Sequence, residues 1–68
     1  MNWQEVKNYI GKGGEIVLYP RRAVAFTRIG ALGREIELRT FHALLRRGLV
    51  KHEPQDYDTK KSQTYRPI

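Results

Sequence analysis

Apolar residues near the start of the chain recur at a helical spacing. Trp3, Val6 and Ile10 lie at i, i+3 and i+7, which places them on one face of a helix. Asn2 precedes them and is followed three residues later by a glutamate, the spacing of a capping box. The pattern therefore predicts a helix over residues 3–10.

The hydrophobic period then changes from helical to strand-like. The glycine-rich segment Gly11–Gly14 ends the helix, and the β-branched and aromatic run Ile16–Tyr19 predicts a strand that stops at Pro20. After a turn, Ala23–Ile29 predicts the returning strand. The glycine-rich segment is similar to the Ile-Gly-x-x-Gly loop of KH domains, but strand residues follow it where that loop requires a helix. We therefore interpret it as a helix-to-strand turn.

Two interpretations fit the segment Arg34–Leu38. It alternates charged and apolar residues, which is typical of a strand with one exposed face. The same residues could also form the first turn of a longer helix, because apolar residues recur at i, i+3 and i+7 from Leu38 onward. We favour a strand that breaks near Leu38, with the helix beginning at Arg39 or Thr40.

The strongest helical signal covers Thr40–Gly48, in which apolar residues share one face and the final glycine supplies a left-handed cap. Beyond it the chain predicts a strand over Val50–Glu53, a polar loop over Pro54–Gln63 and a closing strand over Thr64–Ile68. We therefore predict a single α+β domain over residues 1–68, in the order α-β-β-(β)-α-β-β. The last helix and the C-terminal hairpin have the layout of a winged helix with its wing, and an ordinary α+β sandwich is the alternative.

Length and composition narrow the class of protein. The chain has 68 residues, 13 Lys and Arg against 7 Asp and Glu, a net charge of +6 and no cysteine. A domain of this size buries only about 60% of the surface that its unfolded chain exposes. A monomer would therefore be marginally stable, and a homodimer is one way to bury more surface. The absence of cysteine excludes disulfides and thiol chemistry and favours an intracellular, cytoplasmic protein. No apolar stretch is long enough to span a membrane.

The positive charge is concentrated in the second half of the chain. Arg39, His42 and Arg46 recur at i, i+3 and i+7, on the side of the helix opposite its apolar face. A helix that buries one face and carries cations on the other suits contact with phosphates or insertion into the major groove. The predicted nucleic-acid-binding residues are Arg39, His42, Arg46, Arg47, Lys60, Lys61, Arg66, Arg21 and Arg22.

The sequence offers little for catalysis. His42 and His52 are predicted on different elements, no cysteine or carboxylate accompanies them at a metal-ligand spacing, and Ser62 is the single serine. We therefore predict a protein that is not an enzyme and that has no metal site and no cofactor.

The aromatic residues divide into two groups. Phe26 and Tyr65 lie in predicted strands, where packing in the core is expected. Tyr57 lies in the polar loop and is the aromatic residue expected to be exposed. Asp56 and Asp58 flank it, and two acids disfavour contact with a polyanion, so Tyr57 suggests a protein partner.

Glycine and apolar motifs along most of the chain resemble a family of small bacterial proteins with a winged-helix-like fold, which are toxins that act on DNA topoisomerase. The motifs are Gly13-Gly14-x-Ile16, Thr40-Phe41-x-x-Leu44 with Gly48-Leu49-Val50, and Thr64-Tyr65-Arg66. The resemblance implies the fold and a bacterial, phage or plasmid origin, and it assigns no site residue. The long loop over residues 54–63 departs from the short turn of that family.

Two functions remain open from the sequence. The first is a winged-helix-like module that binds nucleic acid, with double-stranded DNA favoured. The second is a protein-interaction module that inhibits a bacterial nucleic-acid enzyme or defence complex, as a toxin or an anti-CRISPR-like protein does. In the second case the basic face would meet an acidic protein surface.

Overall fold

A capping box begins the first helix, α1, which spans Trp3–Ile10 as predicted. In the computed structural model, which describes residues 1–68, the Glu5 N–H donates to Asn2 Oδ1 at 2.9 Å, and the Asn2 N–H donates to Glu5 Oε1 at 3.1 Å. These two bonds satisfy donors that a helix N-terminus otherwise leaves without partners. Gly11 ends the helix with a φ of 56°, a left-handed value that favours glycine.

Five short strands form one antiparallel sheet in the order β3-β2-β1-β5-β4. The strands are β1 (Glu15–Leu18), β2 (Ala23–Phe26), β3 (Arg34–Ile36), β4 (Val50–His52) and β5 (Gln63–Pro67). The second helix, α2 (Leu38–Arg46), connects β3 to β4. Because β5 pairs with β1, the beginning and the end of the chain meet at the centre of the sheet.

The hydrophobic core lies between one face of the sheet and the two helices. Side chains alternate between the faces of each strand, so only every second strand residue reaches this core. The ring of Phe41 from α2 packs edge-on against Tyr65 from β5, with centroids 4.8 Å apart. The core residues are Val6, Ile10, Ile16, Ala23, Ala25, Ile36, Phe41, Leu44 and Val50. Neither helix is long and apolar enough to cross a membrane.

The α+β class is confirmed, but the predicted winged-helix arrangement is not matched. The sheet has five strands and only two helices cover it. The C-terminal hairpin does not project as a wing, because β5 pairs with β4 along one edge and with β1 along the other. Thr64, the second residue of β5, is completely buried.

The connection between β3 and α2 resolves the two interpretations of residues 34–38. Ile36 pairs with Ala23 and ends β3, while Glu37 has extended backbone with φ −69° and ψ 143°. The N–H groups of Thr40 and Phe41 both donate to the Glu37 carbonyl, at 3.0 and 3.1 Å. The helix therefore begins at Leu38, slightly before the predicted start.

The strand β2 is shorter than predicted, since it ends at Phe26 rather than Ile29. Residues 27–33 form a loop, and Gly33 lies so close to the sheet that a Cβ there would overlap the side chains of Val24 and Phe26. The loop therefore covers part of the sheet face opposite the helices, which we call the second face.

We expect Gly14→Ala to destabilise the fold. A Cβ at Gly14 would overlap the carbonyl oxygens of Phe26 and Ile10, and these backbone atoms cannot move without disturbing β2 or α1. Overpacking of this kind costs about 1–3 kcal/mol of unfolding free energy, measurable by urea denaturation followed by circular dichroism. Gly13→Ala is the matched control, because its Cβ would have no atom within 4 Å. Equal stability of the two variants would contradict the close approach at Gly14.

Candidate nucleic-acid interface

The predicted residues on α2 form one exposed surface. Arg39, His42 and Arg46 lie on the exposed side of the helix, and Arg47 caps its C-terminus. We call these four residues the helix surface. They lie opposite the buried side chains that anchor α2 to the sheet.

Three of the four side chains make contacts within the molecule. The His42 ring lies against the edge of Phe41, with centroids 5.5 Å apart. The Arg39 Nε lies 2.9 Å from Glu37 Oε2, in an exposed ion pair of the kind that contributes little to stability. The Arg47 guanidinium lies over the Trp3 ring at 4.2 Å, a cation–π contact between α2 and α1. Arg46 makes no ion pair, although it lines a groove between the two helices together with Trp3 and Glu5.

Four other predicted residues meet at one end of the sheet. Leu18 pairs with Ala23 on one side and with Gln63 on the other. The turn that follows Leu18 and the turn that precedes Gln63 therefore extend from the same end, although they are far apart in the sequence. These two turns carry Arg21, Arg22, Lys60 and Lys61, all exposed, which we call the sheet-end cluster. The Arg22 guanidinium lies 5.0 Å from the centre of the Tyr19 ring.

Arg66 is used inside the fold. Its Nη2 lies 3.3 Å from Glu15 Oε1 and its Nε lies 3.9 Å from Glu53 Oε1, and only 22% of the side chain is exposed. The Nε atom is buried and has no hydrogen bond. Unlike the other predicted site residues, Arg66 is thus mostly buried, and its charge is paired with two acids.

Glu15 is a buried carboxylate that the sequence analysis did not single out. It lies on the second face, is 4% exposed, and accepts hydrogen bonds from the Tyr57 hydroxyl and from Arg66. Burial, together with the hydrogen bond to Glu15, raises the pKa of Tyr57 above its ordinary value. Tyr57, which we expected to be exposed, is therefore held at its hydroxyl group, although 49% of the residue remains exposed.

Asp58 holds the polar loop in shape. One carboxylate oxygen accepts from the Thr64 hydroxyl, and the other accepts from the backbone N–H groups of Gln55 and Thr64. Partial burial acts to raise the pKa of Asp58, but these hydrogen bonds and the nearby His52 outweigh it and lower the pKa below its ordinary value. Asp56, the other acid beside Tyr57, makes no hydrogen bond through its side chain and no ion pair.

A cleft of about 370 Å³ lies on the second face, between the loop over residues 27–33 and the loop over residues 53–62. Phe26 was expected in the core, but it lies in this cleft and is only partly buried. The sequence of β2 indicates that Phe26 faces away from the core, because the small residues Ala23 and Ala25 alternate with larger apolar ones. A strand that is apolar on both faces needs cover on both.

The acidic side chains are mostly engaged and the basic ones are mostly not. Only Arg39 and Arg66 of the thirteen Lys and Arg residues form ion pairs, which leaves eleven unpaired. Five of the seven acids cap a helix, pair with an arginine or bond the polar loop. The net charge of +6 is therefore presented as unpaired surface cations.

Comparison with known proteins adds no assignment. No protein-family model matches the chain, and neither curated proteins nor solved structures show a significant match. The resemblance to topoisomerase-directed toxins stays a prediction. No three histidine, aspartate or glutamate side chains come together in a group that could hold a metal ion.

We expect the hydrogen bonds of Asp58 to make the fold sensitive to acid. The unfolded chain binds a proton at Asp58 at a higher pH than the folded protein does, so protonation favours unfolding as the pH falls below about 3.8. Asp58→Asn should be less stable than the wild type at neutral pH, and the difference should shrink as the pH is lowered through this range. Thermal denaturation at a series of pH values measures it.

Asp56→Asn is the control for this experiment, since it removes a neighbouring carboxylate that makes no hydrogen bond. A difference between wild type and Asp58→Asn that stays constant with pH would contradict the assigned role of Asp58.

Proposed function

We propose that this protein is a non-enzymatic nucleic-acid-binding module that contacts the phosphates of duplex DNA through the helix surface and the sheet-end cluster. The observation that supports the proposal is that six of the eleven cationic side chains without an acidic partner lie on these two surfaces. Cations that release counterions from a phosphate backbone supply most of the affinity of non-specific DNA binding.

The spacing of the helix surface suits a phosphate backbone. Arg39 and Arg46 are seven residues apart on α2, which corresponds to about 10 Å along the helix axis. Phosphates on one strand of duplex DNA rise by about 3.4 Å per nucleotide, so the two arginines would span about three of them. Contacts of this kind position a protein on DNA without reading the base sequence.

The second candidate is a protein-interaction module that inhibits a bacterial nucleic-acid enzyme or defence complex. It is favoured by two large apolar side chains in the loop over residues 27–33, since Ile29 is 63% exposed and Leu32 is 93% exposed. A partner with an acidic, DNA-like surface could meet the same cations. This candidate would be favoured over the first if one host protein co-purifies with this protein after nuclease treatment and this protein itself has no affinity for DNA.

We expect Arg46→Glu to weaken binding to duplex DNA by several-fold on every sequence tested. The change replaces a phosphate contact with a repulsive charge, and the slope of log K against log salt should become less steep by about one. Fluorescence anisotropy with labelled duplexes between low and physiological salt measures both quantities.

Lys12→Glu is the matched control, because it changes the net charge equally in the glycine-rich turn, outside both basic surfaces. An equal loss in the two variants would show that only the net charge matters. A wild-type protein without affinity for duplex DNA at low salt would refute the proposed function.

A further inference from the structure

The cleft on the second face has aromatic walls. Tyr19, Phe26 and Tyr57 line it from three different parts of the chain, and Ile29 adds an exposed aliphatic side. Val17 completes the apolar floor. The volume of the cleft, about 370 Å³, lies within the range of about 300–1,000 Å³ that is typical of small-ligand sites.

The charges around the cleft do not oppose an anion. Glu15 lines the floor, but Arg66 neutralises its carboxylate at 3.3 Å. Arg28 is the other charged residue in the lining, and it makes no ion pair. The two acids without a partner are Asp56, in the neighbouring loop, and Glu35, opposite Val24 in β3, and neither lines the cleft.

The cleft is continuous with the sheet-end cluster. Tyr19 connects the two, because it lines the cleft and its ring centre lies 5.0 Å from the Arg22 guanidinium. On the other side, the lining residue Ser62 directly follows Lys60 and Lys61 in the chain. An apolar aromatic site thus adjoins a group of unpaired cations.

We infer that this cleft binds an unpaired nucleobase of a single-stranded nucleic acid, with the adjoining phosphates on Arg28 and the sheet-end cluster. Aromatic rings stack on bases of any sequence, and cations beside them hold the backbone, which is the combination that single-strand-binding proteins use. A base inside a duplex does not offer its face to such a cleft. The inference rests on the proposed function for the class of ligand and adds to it a second surface, on the side of the sheet opposite α2.

The test compares two labelled strands that carry the same phosphates. One is an oligothymidylate of about eight nucleotides, and the other has the same sugar-phosphate backbone without bases. We expect the strand with bases to bind roughly tenfold or more tightly at the same salt concentration, because one or two stacked bases contribute that much affinity. In the ¹⁵N-labelled protein, the amide signals of Phe26, Ile29 and Tyr57 should shift on binding.

Two pairs of variants assign the effect to the cleft. Tyr57→Leu should remove most of the preference for the strand with bases, whereas Tyr57→Phe keeps the ring and should retain it although the hydrogen bond to Glu15 is lost. Ile29→Glu places a negative charge in the cleft and should also remove it. Leu32→Glu makes the same change in the same loop, outside the lining, and should leave it intact. Both loop variants change exposed residues, so they should fold.

The outcomes separate this inference from the proposed function. Equal affinity for the two strands, or amide shifts confined to α2 and the sheet-end cluster, would overturn the inference and leave phosphate binding intact. Binding of the single strand without binding of the duplex would support the inference and refute the duplex proposal. An absence of binding to any of the three nucleic acids at low salt would refute both, and the cleft would then fit a protein segment better.

Discussion

The contacts of the buried Glu15 carboxylate hold the second face of the sheet together. It accepts hydrogen bonds from Tyr57 in the polar loop and from Arg66 in β5, so it joins β1 to two segments from the end of the chain. A buried carboxylate without partners would be strongly unfavourable, and its partners must therefore remain in place. Together with the hydrogen bonds between Asp58 and Thr64, this constraint holds the loop over residues 53–62 against the sheet, where the loop forms one wall of the cleft.

The same constraint shapes the surface charge. Because Arg66 serves Glu15 and Glu53, it adds nothing to the cationic exterior. A larger fraction of the acids than of the bases is engaged in helix capping, ion pairs or hydrogen bonds of the polar loop. A chain with a moderate positive excess thereby presents eleven of its thirteen cations unpaired, and six of these lie at the end of α2 and at one end of the sheet. The charged residues that hold the second face together, Glu15 and Arg66, therefore lie outside the two surfaces that we propose to bind nucleic acid.

The local pattern of the sequence predicted the elements well and their arrangement poorly. The capping box and apolar spacing of α1 gave its bounds, and the alternation before Leu38 gave β3. The winged-helix arrangement was wrong because nothing local shows that β5 pairs with β1 rather than projecting with β4 alone. Strand partners are chosen by long-range packing, which short-range periodicity does not encode.

The candidate site divides along the same line. The sequence by itself determined the α+β class, the basic stripe of α2 and the excess of positive charge, since these depend on spacing within one element and on composition. Only the tertiary structure decided that Arg21 and Lys61 share one end of the sheet, that Arg66 turns inward, and that Phe26 lines an aromatic cleft. The first two follow from the pairing of β1 with β5, a contact between residues distant in the chain, and the third follows from the two loops that flank the cleft on the second face.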